Sequence, residues 1–345
     1  MFKILNTRGL GVGGKQNELI ELALTFGFNG VEVDMVDLVG RHDAMGKEFA
    51  CQFLKAAKSP ASEDDTASGG KHLTIGTFKL PIELSGTDEQ YATSIAKNET
   101  IIDLATELGA ERCYIEIAPN CEHFSFQECF EKHQARLQAL AEQFAASGIK
   151  LGLALQTSKA EPADGTFKFV QTAEELLTLV KAVGQPNVGV CVDTWEWVLG
   201  GGTVEQIAFD QVTEVRFADL SADANKAEIK PSDRTALPGD VADSVSFKIA
   251  QAAVASGLPV AISASTDMSS YAGDTRDNVV KAISQHLDWL AEGIDPAVTI
   301  AAAEAEATAA EAGEGEEEPP AEATAEAKAT PVATAEAKAA PTATA

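Results

Sequence analysis

Residues 187–197 read NVGVCVDTWEW, an apolar run from Val188 to Val192 that stops at the carboxylate of Asp193. Glu196 follows three residues later, between Trp195 and Trp197. Two acids so placed can ligate a divalent cation, share a proton in acid–base chemistry, or neutralise a nearby cation. Indoles beside them offer faces for a sugar ring, and equally serve to pack a rim. Other acids close apolar runs in the same way: Glu32 and Asp34 in GVEVD, Glu116 in CYIEI and Asp219 in VRFADL. Glu116 and Glu32 are the further candidates for acid–base work. None of the five histidines (His42, His72, His123, His133, His286) ends such a run. His133 and His286 fall within helical patterns and read as structural. No nucleophile elbow and no phosphate-binding lysine loop is present.

The elements that must carry these residues follow one repeated phrase: an amphipathic helix, a glycine, then a short apolar strand. It occurs as LIELALTFG-FNGVEVDM, IIDLATELG-AERCYIEI, LQALAEQFAASG-IKLGLAL, LLTLVKAVG-QPNVGVCV and IAQAAVASG-LPVAIS. Gly27, Gly109, Gly148, Gly184 and Gly257 sit where a left-handed helix cap belongs. Unbroken apolar strands suit a parallel sheet covered on both faces. With KILN at 3–6, TIGTFKL at 74–80 and TEVRFADL at 213–220 the strands number eight. Eight β/α units in fewer than 300 residues predict a (β/α)8 TIM barrel, whose chemistry gathers at the C-terminal strand ends. A competing motif is Gly9-x-Gly11-x-x-Gly14 with Asp34 twenty residues on, which matches a dinucleotide fingerprint. Asn6, Thr7 and Arg8 separate those glycines from the strand, so the motif reads as a loop at the barrel mouth.

The net charge of −27 is unfavourable for nucleic acid and for anionic membranes. The five cysteines, Cys51, Cys113, Cys121, Cys129 and Cys191, contain no C-x-x-C and suggest neither a disulfide framework nor a zinc cluster. No long apolar run marks a signal peptide or a membrane span, and a cytoplasmic location is the simplest expectation. The barrel is expected over residues 1–292, with SPASEDDTASGG at 59–70 as a mobile loop. From residue 293 to 345 the chain is rich in Ala, Glu and Pro, has 11 acids against 2 bases, and repeats ATAEAKA. That composition is expected to give a disordered acidic tail, serving solubility or docking a partner.

The phrases GFNGVEVD at 27–34, LGAERCYIEIAP at 108–119, SGIKLGLAL at 147–155, PNVGVCVDTWEWVLGGG at 186–202, EVRFADL at 214–220 and RTALPGD at 234–240 stand in a telling order. In that order the chain resembles the xylose isomerase-like barrels, the sugar phosphate isomerase/epimerase superfamily. The resemblance implies a TIM barrel and a divalent metal held by Glu, Asp, His and Glu from successive strand ends. Such a metal polarises a sugar carbonyl while glutamates move the neighbouring proton. At those four positions this chain carries Ala154, Asp193, Arg216 and Ser263. Asp193 alone keeps its ligand type, and Glu196 stands where the family often has a substrate-contacting histidine. A guanidinium is a permanent cation and does not coordinate a metal. The expectation is therefore no metal cofactor, and a barrel that has lost its isomerase chemistry while keeping a site for a small sugar or polyol. Trp195, Trp197, Arg216 and Asp219 are the expected substrate contacts, with Arg216 filling the metal's space and pairing with Asp193 or Glu196. The alternative is an active isomerase or epimerase with Mn or Zn on a rearranged set such as Glu116, Asp193 and Glu196.

Overall fold

A computed structural model describes residues 1–58, 72–157, 166–220, 233–235, 244–266 and 273–291. The expected loop at 59–70, the expected tail at 293–345 and the Leu237-Pro238-Gly239-Asp240 stretch lie outside the described residues. Eight strands form the core: β1 (Phe2–Leu5), β2 (Gly30–Val33), β3 (Thr74–Phe78), β4 (Arg112–Glu116), β5 (Lys150–Ala154), β6 (Val188–Asp193), β7 (Val212–Phe217) and β8 (Ala261–Ala264). Every neighbouring pair is parallel, in the circular order β3, β2, β1, β8, β7, β6, β5, β4. The circle nearly closes through a parallel bridge between Lys79 and Tyr114, where the Leu80 amide donates to the Tyr114 carbonyl at 2.8 Å. This is the (β/α)8 architecture the repeated phrase predicts.

The helices between the strands are α1 (Gln16–Thr25), α2 (Met35–Met45), α3 (Lys47–Lys58), α4 (Asp88–Ser94), α5 (Asn98–Glu107), α6 (Phe126–Ala145), α7 (Ala173–Val183), α8 (Thr194–Leu199), α9 (Val245–Ala255) and α10 (Arg276–Ala291). All five glycines expected as helix stops have φ between 64° and 72°. Glycine, having no Cβ, adopts this left-handed conformation without steric penalty and lets the chain reverse from helix to strand. Helix starts are set by side-chain oxygens: Thr87, Ser125 and Thr172 each accept from the third helical amide, completing capping boxes with Gln90, Glu128 and Glu175. Two antiparallel ribbons of two residues per strand decorate the C-terminal rim. Asn120–Cys121 pairs with Phe167–Lys168, and Asp219–Leu220 pairs with Arg234–Thr235.

Apolar residues fill the space between sheet and helices, among them Leu38, Leu104, Leu137, Phe144, Leu176, Phe247 and Leu287. Gly189 is a packing requirement, since a Cβ there would lie 1.7 Å from the Gln211 carbonyl oxygen. One expectation from the cysteine count is corrected: Cys121 and Cys129 form a disulfide that ties the first ribbon to the first turn of α6. The two lie only eight residues apart across a turn into a helix, so folding brings them together without any C-x-x-C. Cys51, Cys113 and Cys191 are free and buried. Among the described residues no helix is long and apolar enough to cross a membrane.

Candidate functional site

The strand ends place three polar groups at the barrel mouth. Inside the barrel, Glu214 and Arg216 project from the same face of β7 because they are two residues apart on a strand. Arg216 Nη2 lies 3.0 Å from Glu214 Oε2 and 3.3 Å from Glu32 Oε2, reaching across to β2. The Tyr114 hydroxyl donates to Glu32 Oε1 at 3.0 Å, and the Arg216 guanidinium carbon sits 3.7 Å from the Tyr114 ring centroid. Thr77 donates to Glu214 Oε2 at 2.5 Å and Ser263 donates to Glu214 Oε1. All six side chains are buried. Two carboxylates thus share one guanidinium away from water. Burial holds the Glu32 carboxyl above the usual carboxylate range, against the opposing pull of Arg216. Burial likewise pushes the Tyr114 hydroxyl up, which keeps it a donor.

Asp193 ends β6 and caps α8, accepting from the Glu196 amide at 3.3 Å. Its other oxygen is paired with Arg234, which comes from the ribbon after β7. Arg234 Nη2 also donates to Ser265 at 2.6 Å, and its Nη1 lies 3.9 Å from Glu196 Oε1. This corrects the expected pairing. Arg216 stands in register with Asp193 across β6 and β7, yet it turns inward to Glu32 and Glu214. The cation that holds Asp193 and Glu196 is Arg234. Strand pairing fixed the backbone neighbours, but alternation of side chains and the two deeper carboxylates drew Arg216 down.

The third group follows β3, β4 and β5. Lys79 Nζ lies 2.6 Å from Glu116 Oε2, and Gln156 Nε2 donates to the same oxygen. These residues edge a cavity of about 330 Å3. A larger cleft of about 550 Å3 lies beyond the ends of β1 and β2, under the glycine loop of residues 9–14. Glu32 forms part of its wall, with Arg8, Asp34, Asp37 and Arg41 at its opening. The dinucleotide reading of that loop fails because its strand belongs to a barrel and not to an open doubly wound sheet.

The other expected substrate contacts follow β6 and β7. Trp195 and Trp197 are both buried, and Trp197 Nε1 donates to the Thr203 carbonyl at 3.0 Å against Gly202. Trp197 packs into the core of the rim, whereas Trp195, equally buried, edges a small cavity that Asp219 also lines. Asp219 accepts from Ser244, whose oxygen also caps α9. His133 and His286 are buried in helices as expected, and burial lowers both to a pKa of about 4. Sequence reasoning missed Glu214, Tyr114, Lys79 and Arg234. A signal existed for Glu214: an acid two residues before Arg216 in an otherwise buried strand needs a cation on the same face.

Ala154, Asp193, Arg216 and Ser263 sit at the ends of β5, β6, β7 and β8, with the last three in register across neighbouring strands. That row falls where the resemblance puts a metal site. The family model for the xylose isomerase-like TIM barrel matches residues 20–247. The chain belongs to the xylose isomerase-like TIM barrel family. Solved structures agree in fold with this xylose isomerase-like barrel. A xylose isomerase domain protein from Alicyclobacillus acidocaldarius is 17% identical with a TM-score of 0.67, over 84% of this chain and 98% of the other. A D-psicose 3-epimerase from Clostridium cellulolyticum H10, solved with D-tagatose, is 13% identical with a TM-score of 0.59, over 84% and 99%. The IOLI protein, solved with a zinc atom, is 14% identical with a TM-score of 0.61, over 84% and 98%. No curated protein matches the sequence. At these identities the solved structures speak for the fold and not for the chemistry. In this xylose isomerase-like barrel, no three His, Cys, Asp or Glu side chains converge as metal ligands among the described residues. The alternative set of Glu116, Asp193 and Glu196 is therefore not assembled there. Glu116 is held by Lys79 and Gln156, while the other two acids face Arg234.

Proposed function

We propose that this barrel is a divergent relative of the sugar isomerases and epimerases that has given up divalent-metal chemistry and retains binding of a small sugar or polyol. The observation that carries the reading is the fate of Asp193. It is the one family metal position that keeps a ligand-type side chain, and its carboxylate is engaged by the Arg234 guanidinium. The neighbouring positions support it. Ala154 has no donor, Ser263 spends its hydroxyl on Glu214, and Arg216 places a fixed positive charge where a second cation would be repelled. A Mn or Zn site wants three or four anionic or imidazole ligands, which the described residues do not bring together. Retention of ligand binding rests on the two cavities at the C-terminal strand ends, the face on which TIM barrels hold their ligands.

The test is metal analysis of protein purified without chelator, for Mn, Zn, Mg and Co, followed by thermal-shift screening against sugars and polyols. Sub-stoichiometric metal with a polyol-dependent rise in melting temperature is the expected result. One equivalent of metal that disappears in Asp193→Ala would overturn the reading and restore an active metal-dependent isomerase.

A further inference from the structure

The geometry points to the cavity beyond β3, β4 and β5 as the place where this barrel holds a neutral polyhydroxylated molecule of monosaccharide size. The inference rests on the retained-binding reading above and adds its location and the charge class of the ligand. With the barrel centre occupied by the Arg216 cluster, a ligand has to sit to one side. The cavity measures about 330 Å3, at the lower end of the range that holds small molecules.

Its polar groups are spaced for hydroxyls. The Lys79 and Glu116 side chains are each 28% exposed, whereas Glu32 and Glu214 are 5% and 0% exposed, so the former pair faces the cavity. Lys79 and Gln156 supply donors on one side of the carboxylate of Glu116. Glu83 and Ser85 also line the cavity, with the Ser85 amide donating to Glu83 Oε1 at 3.1 Å. The Ser85 hydroxyl lies 3.4 Å from His133 Nε2. His133 is neutral at pH 7, and its Nδ1 lies 2.8 Å from the Cys129 carbonyl, so Nδ1 carries the proton and Nε2 accepts. The Ser85 proton therefore points away from the cavity, and its oxygen presents lone pairs to a ligand. One ammonium against two carboxylates leaves the walls acidic. That balance disfavours a phosphate or carboxylate ligand and favours hydroxyls, which donate to Glu116, Glu83 and Ser85 and accept from Lys79 and Gln156.

Isothermal titration of the full chain with D-fructose, D-xylose, myo-inositol and D-ribose 5-phosphate tests this. Wild type, Glu116→Ala, Gln156→Leu, Ser85→Leu and Asp193→Asn are compared, with the unliganded melting temperature of each as a folding control. The expected result is binding of a neutral member by wild type, weakened at least tenfold in Gln156→Leu and Ser85→Leu and in Glu116→Ala where that variant folds. Asp193→Asn is expected to bind as wild type. Binding lost in Asp193→Asn and kept in Gln156→Leu and Ser85→Leu overturns the location while leaving retained sugar binding intact. Preference for D-ribose 5-phosphate overturns the charge class. No binding of any neutral member overturns the inference together with the reading it rests on.

Discussion

The guanidinium of Arg216 sits over the ring of Tyr114, with its central carbon 3.7 Å from the ring centroid, while Tyr114 donates to Glu32, one of the two acids that Arg216 pairs with. A cation–π contact, charge and hydrogen bonding so converge on one cation inside the barrel. Removing it strands two buried carboxylates. Arg216→Met is expected to cost about 3–5 kcal/mol in urea unfolding at pH 7. Adding Glu32→Gln and Glu214→Gln to that variant is expected to recover much of the loss. A single variant as stable as wild type would show that the cluster is not what holds this end of the barrel.

Glu32 gives the cluster a pH signature. Its folded-state pKa is raised from 4.5, chiefly by burial. A raised carboxyl binds its proton more tightly when folded, so its contribution is fully present below 4.5 and is lost as pH rises through the folded value. The stability of Glu32→Gln relative to wild type should therefore climb as pH rises above 4.5. Urea midpoints of both proteins from pH 4.5 to 8 check this, and a constant difference would contradict it.

His133 and His286 act with the opposite sign. Burial lowers each from 6.5 to about 4, so their contribution is present above pH 6.5 and disappears as pH falls through about 4. Each is worth about 3 kcal/mol at the acid end, by the energy of one pKa unit. His286→Leu is expected to flatten the acid limb of the stability profile by about one proton between pH 6.5 and 4. An unchanged slope would mean that His286 is solvated.

The Cys121–Cys129 bridge closes a short loop at the rim. Chain-entropy reasoning for a loop of about eight residues gives about 2.5 kcal/mol of stabilisation. Thermal melts with and without dithiothreitol, and of Cys129→Ala, should reveal a drop of that order. Alkylation of unfolded protein should leave three reactive thiols before reduction and five after it, since Cys51, Cys113 and Cys191 are free. Five thiols before reduction would exclude the bridge. Three thiols in protein alkylated at the moment of cell lysis would count against a reducing cytoplasm as its home.

The eight strands, the glycine stops between helix and strand, and the acids that end strands can all be read along the chain before it folds. Those features are local: a run of five apolar residues, a spacing of three and four, or a glycine before a strand declares itself within one turn or one strand. Residue type alone also shows that Ala154 and Arg216 bring no metal-ligating side chain to their strand ends. Tertiary structure decided which charges meet. Arg216 finds Glu32 184 residues away, Arg234 finds Asp193 41 residues away, and Lys79 finds Glu116 across the seam where the barrel closes. These choices depend on strand order, on side-chain alternation and on depth within the barrel, none of which is written in neighbouring residues. For the same reason NVGVCVDTWEW by itself left open whether its indoles face a ligand or pack the rim and which cation its acids meet; folding buries both indoles and gives the acids to an arginine from the ribbon after β7.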